Sequence, residues 1–232
     1  MRDSSLWAEQ LAKIGFSLER ARKIQRDLSK RVILEDCFPT PIRHIAGVDV
    51  AYAKGFSIGA VAVLDYGSMR IVELKISKVE TRFPYIPTLL SFREIPPAVS
   101  AIRKLSIKPD ILLVDGQGIA HPYRLGFASH LGIVLDMATI GVAKSLLCGN
   151  VVHDYEGELC RPIIHDGEVI GMAVYPRRGS KPIYVSIGHK VALESAVRIV
   201  LECCRGCRIP EPLRAAHIVA EKTKRKVISE MK

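Results

Sequence analysis

Two apolar runs in this chain of 232 residues each contain a single acidic residue. Asp49 interrupts the run from residue 44 to residue 52, and Asp115 closes the run that begins at Ile111. Such runs are typical of strands that other elements cover on both faces. Because an unpaired buried carboxylate is strongly unfavourable, the sequence predicts a compensating cation beside these two acids.

The segment around Asp49 begins a series of three strand-like runs. They lie at 44–53, 57–66 and 69–80, and short turns containing Gly55 and Gly67 separate them. Connections of this length join antiparallel neighbours, so we expect a three-stranded meander.

The middle of the chain alternates between helical and strand-like patterns. A helix is expected to begin near Pro96-Pro97, because proline is tolerated in a first helical turn. Strand 111–115, a helix over 123–131 and a strand over about 136–143 follow. This alternation is typical of parallel strands, so the expected fold class is α/β, with a mixed sheet flanked by helices.

The two ends of the chain add helices. Apolar residues recur at intervals of three and four from Leu11 to Leu28, which predicts one amphipathic helix with a basic face. Beyond the middle, we expect three short strands at 150–153, 168–175 and 183–188. Two closing helices are expected over about 190–203 and about 210–224. Since no segment resembles a linker, we expect one domain over residues 1–232.

The chain has a formal net charge of +10, which favours polyanions such as nucleic acid, or anionic membrane surfaces, as partners. A solvated basic face is an equal alternative for charge runs alone. No apolar stretch approaches the length of a membrane-spanning helix, and no signal-peptide pattern begins the chain, so we expect a cytoplasmic protein. The sequence shows no obvious pairing segment, and we expect a monomer.

Six cysteines are too scattered for a disulfide scaffold. Cys203, Cys204 and Cys207 form a cluster with one Cys-x-x-Cys, which suits a metal or a disulfide but lacks a matching second pair. Structural or incidental use is the favoured interpretation.

The acids Asp49, Glu94 and Asp115 are ligands of the type that hard divalent cations such as Mg²⁺ prefer. Asp115 stands where a predicted parallel strand meets a glycine-bearing loop, the edge at which open α/β sheets place their sites. If strands 44–53 and 111–115 are neighbours, Asp49 and Asp115 meet around one ion.

Several short motifs together resemble the endonuclease V family of DNA repair enzymes, in an order and spacing that cover roughly residues 5 to 225. The motifs are Gly47-Val-Asp-Val-Ala-Tyr52, Pro84-Tyr-Ile-Pro87, Leu90-Ser-Phe-Arg-Glu94, Asp115-Gly-Gln-Gly-Ile-Ala-His121-Pro122 and Gly141-Val-Ala-Lys144-Ser145. The resemblance implies a ribonuclease H-like fold. It also implies Mg²⁺-dependent cleavage, with Mn²⁺ as a substitute, at the second phosphodiester bond 3′ to deoxyinosine, leaving 3′-hydroxyl and 5′-phosphate ends.

The resemblance assigns roles to five residues. Asp49 and Asp115 resemble the direct metal ligands of the family, and Glu94 resembles a third acid that acts through a metal-held water. Lys144 would offset charge on the scissile phosphate, or else reach solvent as an ordinary lysine at a strand end. His217 resembles a histidine near that water, with a core or surface histidine as the alternative.

Other matched residues imply contacts with DNA. Tyr85, on a loop that Pro84 and Pro87 stiffen around Ile86, resembles a wedge that fills the space left by a turned-out base. A buried tyrosine is the alternative from the residues alone. His121 matches a position that contacts substrate or stabilises its loop.

The pocket for the turned-out base is implied by the glycine loop. Gly116 and Gly118 allow the backbone to approach a base closely. Thr88 departs from the family, where a glycine is expected, and its side chain would narrow the pocket or add a hydrogen bond. Residue 88 therefore bears on the preference for inosine and not on metal-dependent cleavage.

Two other functions remain open at this point. The first is an endoribonuclease that uses the same metal site to cleave at inosine in RNA. Contacts to the 2′-hydroxyl would decide between DNA and RNA as the substrate. A non-catalytic nucleic-acid-binding protein is the alternative from a different class, although three intact acids argue against it.

Overall fold

The computed structural model describes residues 8–152, 159–177 and 179–230. In chain order, its elements are α1 (Leu18–Ser29), β1 (His44–Ala53), β2 (Phe56–Asp65), β3 (Ile71–Glu80), α2 (Leu90–Ile102), β4 (Ile111–Asp115), α3 (Phe127–Leu135), β5 (Ala138–Ala143), β6 (Asn150–Val151), β7 (Cys160–His165), β8 (Glu168–Val174), β9 (Ile183–His189), α4 (Leu193–Glu202) and α5 (Glu211–Glu230). The nine strands in this part of the chain form one sheet, in the order β3-β2-β1-β4-β5-β9-β8-β7-β6.

The predicted meander is confirmed. Strand β1 pairs antiparallel with β2, and β2 pairs antiparallel with β3. The turn between β1 and β2 consists of Lys54 and Gly55, both with positive φ, which suits the tight turns that connect twisted antiparallel strands.

The parallel part of the sheet begins where β4 pairs with β1, and β5 then pairs parallel with β4. Val48 lies opposite Val114 in this register, so the next residues, Asp49 and Asp115, lie side by side. The predicted α/β fold class, a mixed sheet flanked by helices, is confirmed.

Alternate residues of the central strands pack into two cores. Ala46, Val48, Leu112 and Val114 contribute to the core that includes α2 and α3 residues. Ile45, Ile111 and Leu113 contribute to the opposite core, which includes residues of α4 and α5. Because both faces are covered, the central strands are apolar throughout, as the sequence suggested.

Helix α2 begins six residues earlier than predicted, at Leu90 rather than near Pro96-Pro97. Both prolines lie inside the helix, and the carbonyl of Pro97 accepts a hydrogen bond of 2.6 Å from the Ser77 hydroxyl of β3. At Gly59 of β2, an added Cβ would lie 2.2 Å from this same carbonyl. Close packing against the sheet therefore holds a helix that the prolines alone would not favour.

Two other predictions need correction. The amphipathic pattern over residues 11–28 is not one helix, because Gly15 has a φ of +66° and α1 begins only after Ser17, whose hydroxyl caps it. The prediction also lacked β7, which forms a hairpin with β8 through Asp166 and Gly167. Of the predicted strand 150–153, residue 153 lies outside the described residues.

No helix in the described ranges is long and apolar enough to cross a membrane.

Candidate active site

Asp49 lies in the middle of β1 and is 8% exposed. One of its carboxylate oxygens, Oδ1, accepts the Val50 N–H at 2.8 Å, and the other, Oδ2, lies 2.8 Å from Nδ1 of His217 on α5. The histidine is half-exposed. A contact between residues 168 positions apart therefore fixes the direction in which this carboxylate points.

The close approach of α5 to β1 explains why His217 reaches Asp49. A Cβ added at Gly47 would lie 2.0 Å from the carbonyl oxygen of Pro212, in the first turn of α5. No side chain larger than glycine fits between the strand and the helix at this point. The helix consequently lies directly on the strand, and His217 follows Pro212 by between one and two helical turns.

Asp115 ends β4 and forms an ion pair with Lys144, which follows β5. The Lys144 Nζ lies 2.5 Å from Oδ2 of Asp115. Burial and the neighbouring charge of Asp49 nevertheless raise the pKa of Asp115 above its usual value, against the opposing effect of Lys144. The single lysine therefore compensates the local negative charge only in part.

Asp49, Asp115 and His217 form a group that suits a metal ion. Each offers one ligand atom, and these atoms lie within 4.8 Å of one another. Two carboxylates match the preference of Mg²⁺ and Mn²⁺ for oxygen, and an imidazole is common among transition-metal ligands. The donor set and its partly uncompensated charge fit a divalent cation.

Glu94 comes from α2, on the other face of the sheet, and joins the same edge. Burial, followed by the charges of Asp115 and Asp49, raises the pKa of its carboxyl to about 8. Glu94 does not belong to the group of three ligand atoms. That it acts through a water stays a prediction.

A cleft of about 380 Å³ opens beside these acids. Its walls come from the segment before α2, from the glycine loop after β4 and from the loop after β5. Among the residues that line it are Thr88, Glu94, Asp115, Gly116, Gln117, His121, Lys144 and Leu147. The cleft thus brings together five of the predicted site residues, which are Glu94, Asp115, Gly116, His121 and Lys144.

The Pro84–Pro87 loop lies between β3 and α2 and presents Tyr85, which is 63% exposed. This exposure excludes the alternative of a buried tyrosine. Ile86 is fully buried and packs in an apolar cluster with Leu89. Its side chain therefore anchors the loop, and contact of that side chain with a nucleic acid would require the loop to open.

The two glycines of the loop after β4 differ in their surroundings. Gly116 lines the cleft, and an added Cβ would lie 3.3 Å from Phe127. Gly118 is buried, and an added Cβ would lie 2.0 Å from the carbonyl oxygen of Ile187 in β9. Packing against β9, rather than approach to a base, explains the glycine at position 118.

His121 is 4% exposed, and its Nδ1 lies 3.1 Å from the Tyr123 N–H that donates to it. Burial lowers the pKa of the ring to about 4, against a smaller opposing effect of the Thr88 backbone. The histidine is therefore neutral near pH 7, and its protein partners favour the loop-stabilising alternative.

Two glutamines were missed by the sequence interpretation. Gln117 is 9% exposed and lines the cleft, with its Nε2 donating to the Ser145 carbonyl at 2.9 Å. Gln25, on α1, is fully buried and bonds to the Thr88 carbonyl. A polar residue within the apolar stripe of an amphipathic helix is the signal that would have identified Gln25.

The cysteine cluster is separate from this group. All six cysteines are free thiols. Burial raises the pKa of Cys203 and of Cys204 to about 12, which keeps both protonated and weakly reactive. This environment supports the interpretation that the cluster has a structural use.

Comparison with known proteins identifies relatives that span nearly the whole chain. A family model described as Endonuclease V matches residues 26–218. Endonuclease V of Thermofilum pendens is 49% identical over 207 residues, which cover 89% of this chain and 88% of the relative. Endonuclease V of Rippkaea orientalis is 49% identical over 208 residues, with coverage of 88% and 90%.

Solved structures show the same similarity. Endonuclease V from Streptomyces avermitilis superimposes with a TM-score of 0.85 at 35% identity, covering 91% of this chain and 94% of its own. A variant of Ciona intestinalis endonuclease V, in complex with a 23mer DNA containing an inosine followed by a ribo-adenosine, gives a TM-score of 0.81 at 31% identity, with coverage of 90% and 98%. This chain belongs to the endonuclease V family and is an endonuclease, a phosphodiester hydrolase.

Proposed function

We propose that this enzyme is a Mg²⁺-dependent DNA repair endonuclease that nicks DNA at the second phosphodiester bond 3′ to deoxyinosine. The products would carry 3′-hydroxyl and 5′-phosphate ends. The observation that carries the proposal is the group of Asp49, Asp115 and His217 beside a cleft with room for a nucleobase. The Ciona relative supports the choice of substrate, since it was solved with inosine-containing DNA.

Asp49 and Asp115 would hold the cation, and Glu94 would reach it through a water. The bound cation supplies Lewis-acid chemistry, which withdraws charge from a phosphate and favours ionisation of water. His217 keeps Asp49 oriented through their 2.8 Å contact. Lys144 places an ammonium beside Asp115, where it would offset charge that develops on the scissile phosphate.

The DNA would lie across the edge of the sheet where these residues meet. Tyr85 is exposed on a loop anchored by Ile86, so its ring is available to fill the space in the base stack. The turned-out base would enter the cleft lined by Thr88, Gly116 and His121. The basic surface would supply the phosphate contacts, which makes affinity fall as salt concentration rises.

A cleavage assay tests the proposal. Labelled duplexes with one inosine are incubated with Mg²⁺, and the position and end chemistry of the nick are compared with size markers. Asp49→Asn and Asp115→Asn should each abolish nicking while DNA affinity persists. Asp166→Asn is the matched control, since Asp166 is an exposed acid and asparagine tolerates its positive φ. Full activity in either site variant would remove that residue from the metal site.

Cleavage of inosine-containing RNA is the second candidate. The DNA in two solved Ciona complexes carries a ribonucleotide directly after inosine, so those relatives accommodate a 2′-hydroxyl at that position. Parallel assays with DNA, RNA and chimeric strands decide between the substrates. The same series, extended to uracil and abasic strands, measures how strictly the pocket with Thr88 selects inosine.

Three broader statements remain proposals: one domain over residues 1–232, a monomer, and a cytoplasmic location. Sedimentation of the purified protein with and without DNA tests the second. Cell fractionation tests the third.

A further inference from the structure

Gln25 of α1 makes a long-range contact with the cleft wall. Its Nε2 donates to the Thr88 carbonyl at 2.6 Å, across 63 positions of sequence. Its Oε1 accepts a hydrogen bond of 2.8 Å from Arg22 on the same helix. The side chain is fully buried, so both ends of the amide have fixed partners away from water.

Thr88, which receives this bond, has a backbone conformation that needs support. Its φ is +67°, in the left-handed region that residues other than glycine rarely adopt. The residue lines the cleft and directly follows the Pro84–Pro87 loop. Interactions with the Thr88 carbonyl therefore control both the cleft wall and the end of the loop that carries Tyr85.

The same carbonyl region is tied to the glycine loop after β4. The Thr88 backbone acts on the His121 ring and favours its protonated form, and the same ring accepts the N–H of Tyr123. The Arg22 guanidinium lies over the Tyr123 ring, 4.3 Å from its centroid. Helix α1, the Tyr85 loop and the glycine loop thus form one connected network, in which Gln25 joins the helix to Thr88.

We propose that Gln25 is a positioning residue that holds the Tyr85 loop in the conformation needed to turn out a paired base. This inference rests on the proposed function of the site. Ile86 anchors the middle of the loop in the apolar cluster, and Gln25 fixes its end through Thr88. Without this bond, the Thr88 peptide relaxes from its left-handed conformation. The position of the Tyr85 ring relative to the cleft is then no longer fixed.

The test compares substrates that do and do not need base turning. Gln25→Met keeps the length of the side chain and removes both hydrogen-bonding groups. Gln25→Glu keeps the partner of Arg22 and removes the donor to Thr88. Asp27→Met is the matched control on the same helix, because Asp27 is exposed and pairs only with Lys23 among its described ion-pair partners.

The measurements are kcat and KM with inosine paired in a duplex and with inosine in a single strand, together with the fluorescence of a 2-aminopurine beside the inosine. We expect both Gln25 variants to lose about tenfold in kcat/KM on the duplex, equivalent to about 1.4 kcal/mol. They should stay within about twofold of the wild type on the single strand, and the fluorescence change on duplex binding should shrink. Asp27→Met should match the wild type.

Equal losses on the two substrates would overturn the inference, because they would show that Gln25 supports the site as a whole. Unchanged kinetics on both would overturn it as well. If Gln25→Met does not fold, Gln25→Glu provides the same comparison. Failure of the proposed function is distinguishable, since the wild type and Asp27→Met would then cleave neither substrate.

Discussion

Replacing Glu94 with glutamine should make the metal-free enzyme more stable at neutral pH while removing cleavage activity. The carboxyl of Glu94 is buried near two other acids, and these surroundings raise its pKa from 4.5 to about 8. The folded protein therefore binds this proton more tightly than the unfolded chain does. Between pH 4.5 and 8, stability must fall as pH rises, because folding then opposes ionisation of the carboxyl.

The size of the effect follows from the shift. Each pH unit between the two pKa values is worth about 1.4 kcal/mol for one group. Between pH 5 and pH 7.5, the metal-free wild type should lose about 3 kcal/mol of unfolding free energy relative to Glu94→Gln, whose amide does not titrate. The variant keeps the volume of the side chain and has no charge to repel Asp49 and Asp115.

Urea unfolding in a chelating buffer at several pH values between 5 and 8 measures this difference. Parallel curves of unfolding free energy against pH for the two proteins would refute the reasoning. Added Mg²⁺ provides a second comparison, because a ligand that binds only the folded state stabilises it. The cation should restore stability to the wild type at pH 7.5 and have a smaller effect on Glu94→Gln.

Two predictions concern packing next to the site. Gly141→Ala should cost about 2 to 3 kcal/mol in urea unfolding and reduce cleavage, because the new Cβ would lie 2.4 Å from the Gly118 nitrogen. Gly67→Ala is its control, with a nearest atom at 3.8 Å, and similar stability of the two variants would contradict the packing argument. Ser77→Ala should cost about 1 kcal/mol by the same measurement, since its buried hydroxyl bonds to α2 at 2.6 Å. An equal effect of Ser29→Ala, where the hydroxyl is exposed, would show that burial of this bond is unimportant.

Local signals predicted the elements that depend on local contacts. Gly55 and short connections predicted the β1–β2–β3 meander. Asp166-Gly167 is a two-residue hairpin signal of the same local kind, and it marks the turn between β7 and β8. The predicted helix start near Pro96 was wrong because contacts between residues distant in sequence set the start of α2. Contact of α2 with Ser77 and Gly59 overrides the local preference of proline.

Residue types and short-range patterns are enough to define the chemistry available to this protein. The sequence placed Asp49 and Asp115 in strands where burial makes their charges unfavourable without a cation, and its motifs indicated the family. It also placed Tyr85 between two prolines on a stiff loop. These properties depend on residue type and on neighbours close in sequence.

How these groups meet depends on the packing of elements that are distant in sequence. His217 reaches Asp49 because α5 packs directly on Gly47, and Gln25 reaches Thr88 because α1 packs against the Tyr85 loop. Both contacts join residues that are more than 60 positions apart. Such contacts form only when whole elements pack together, so no local pattern in the sequence specifies them.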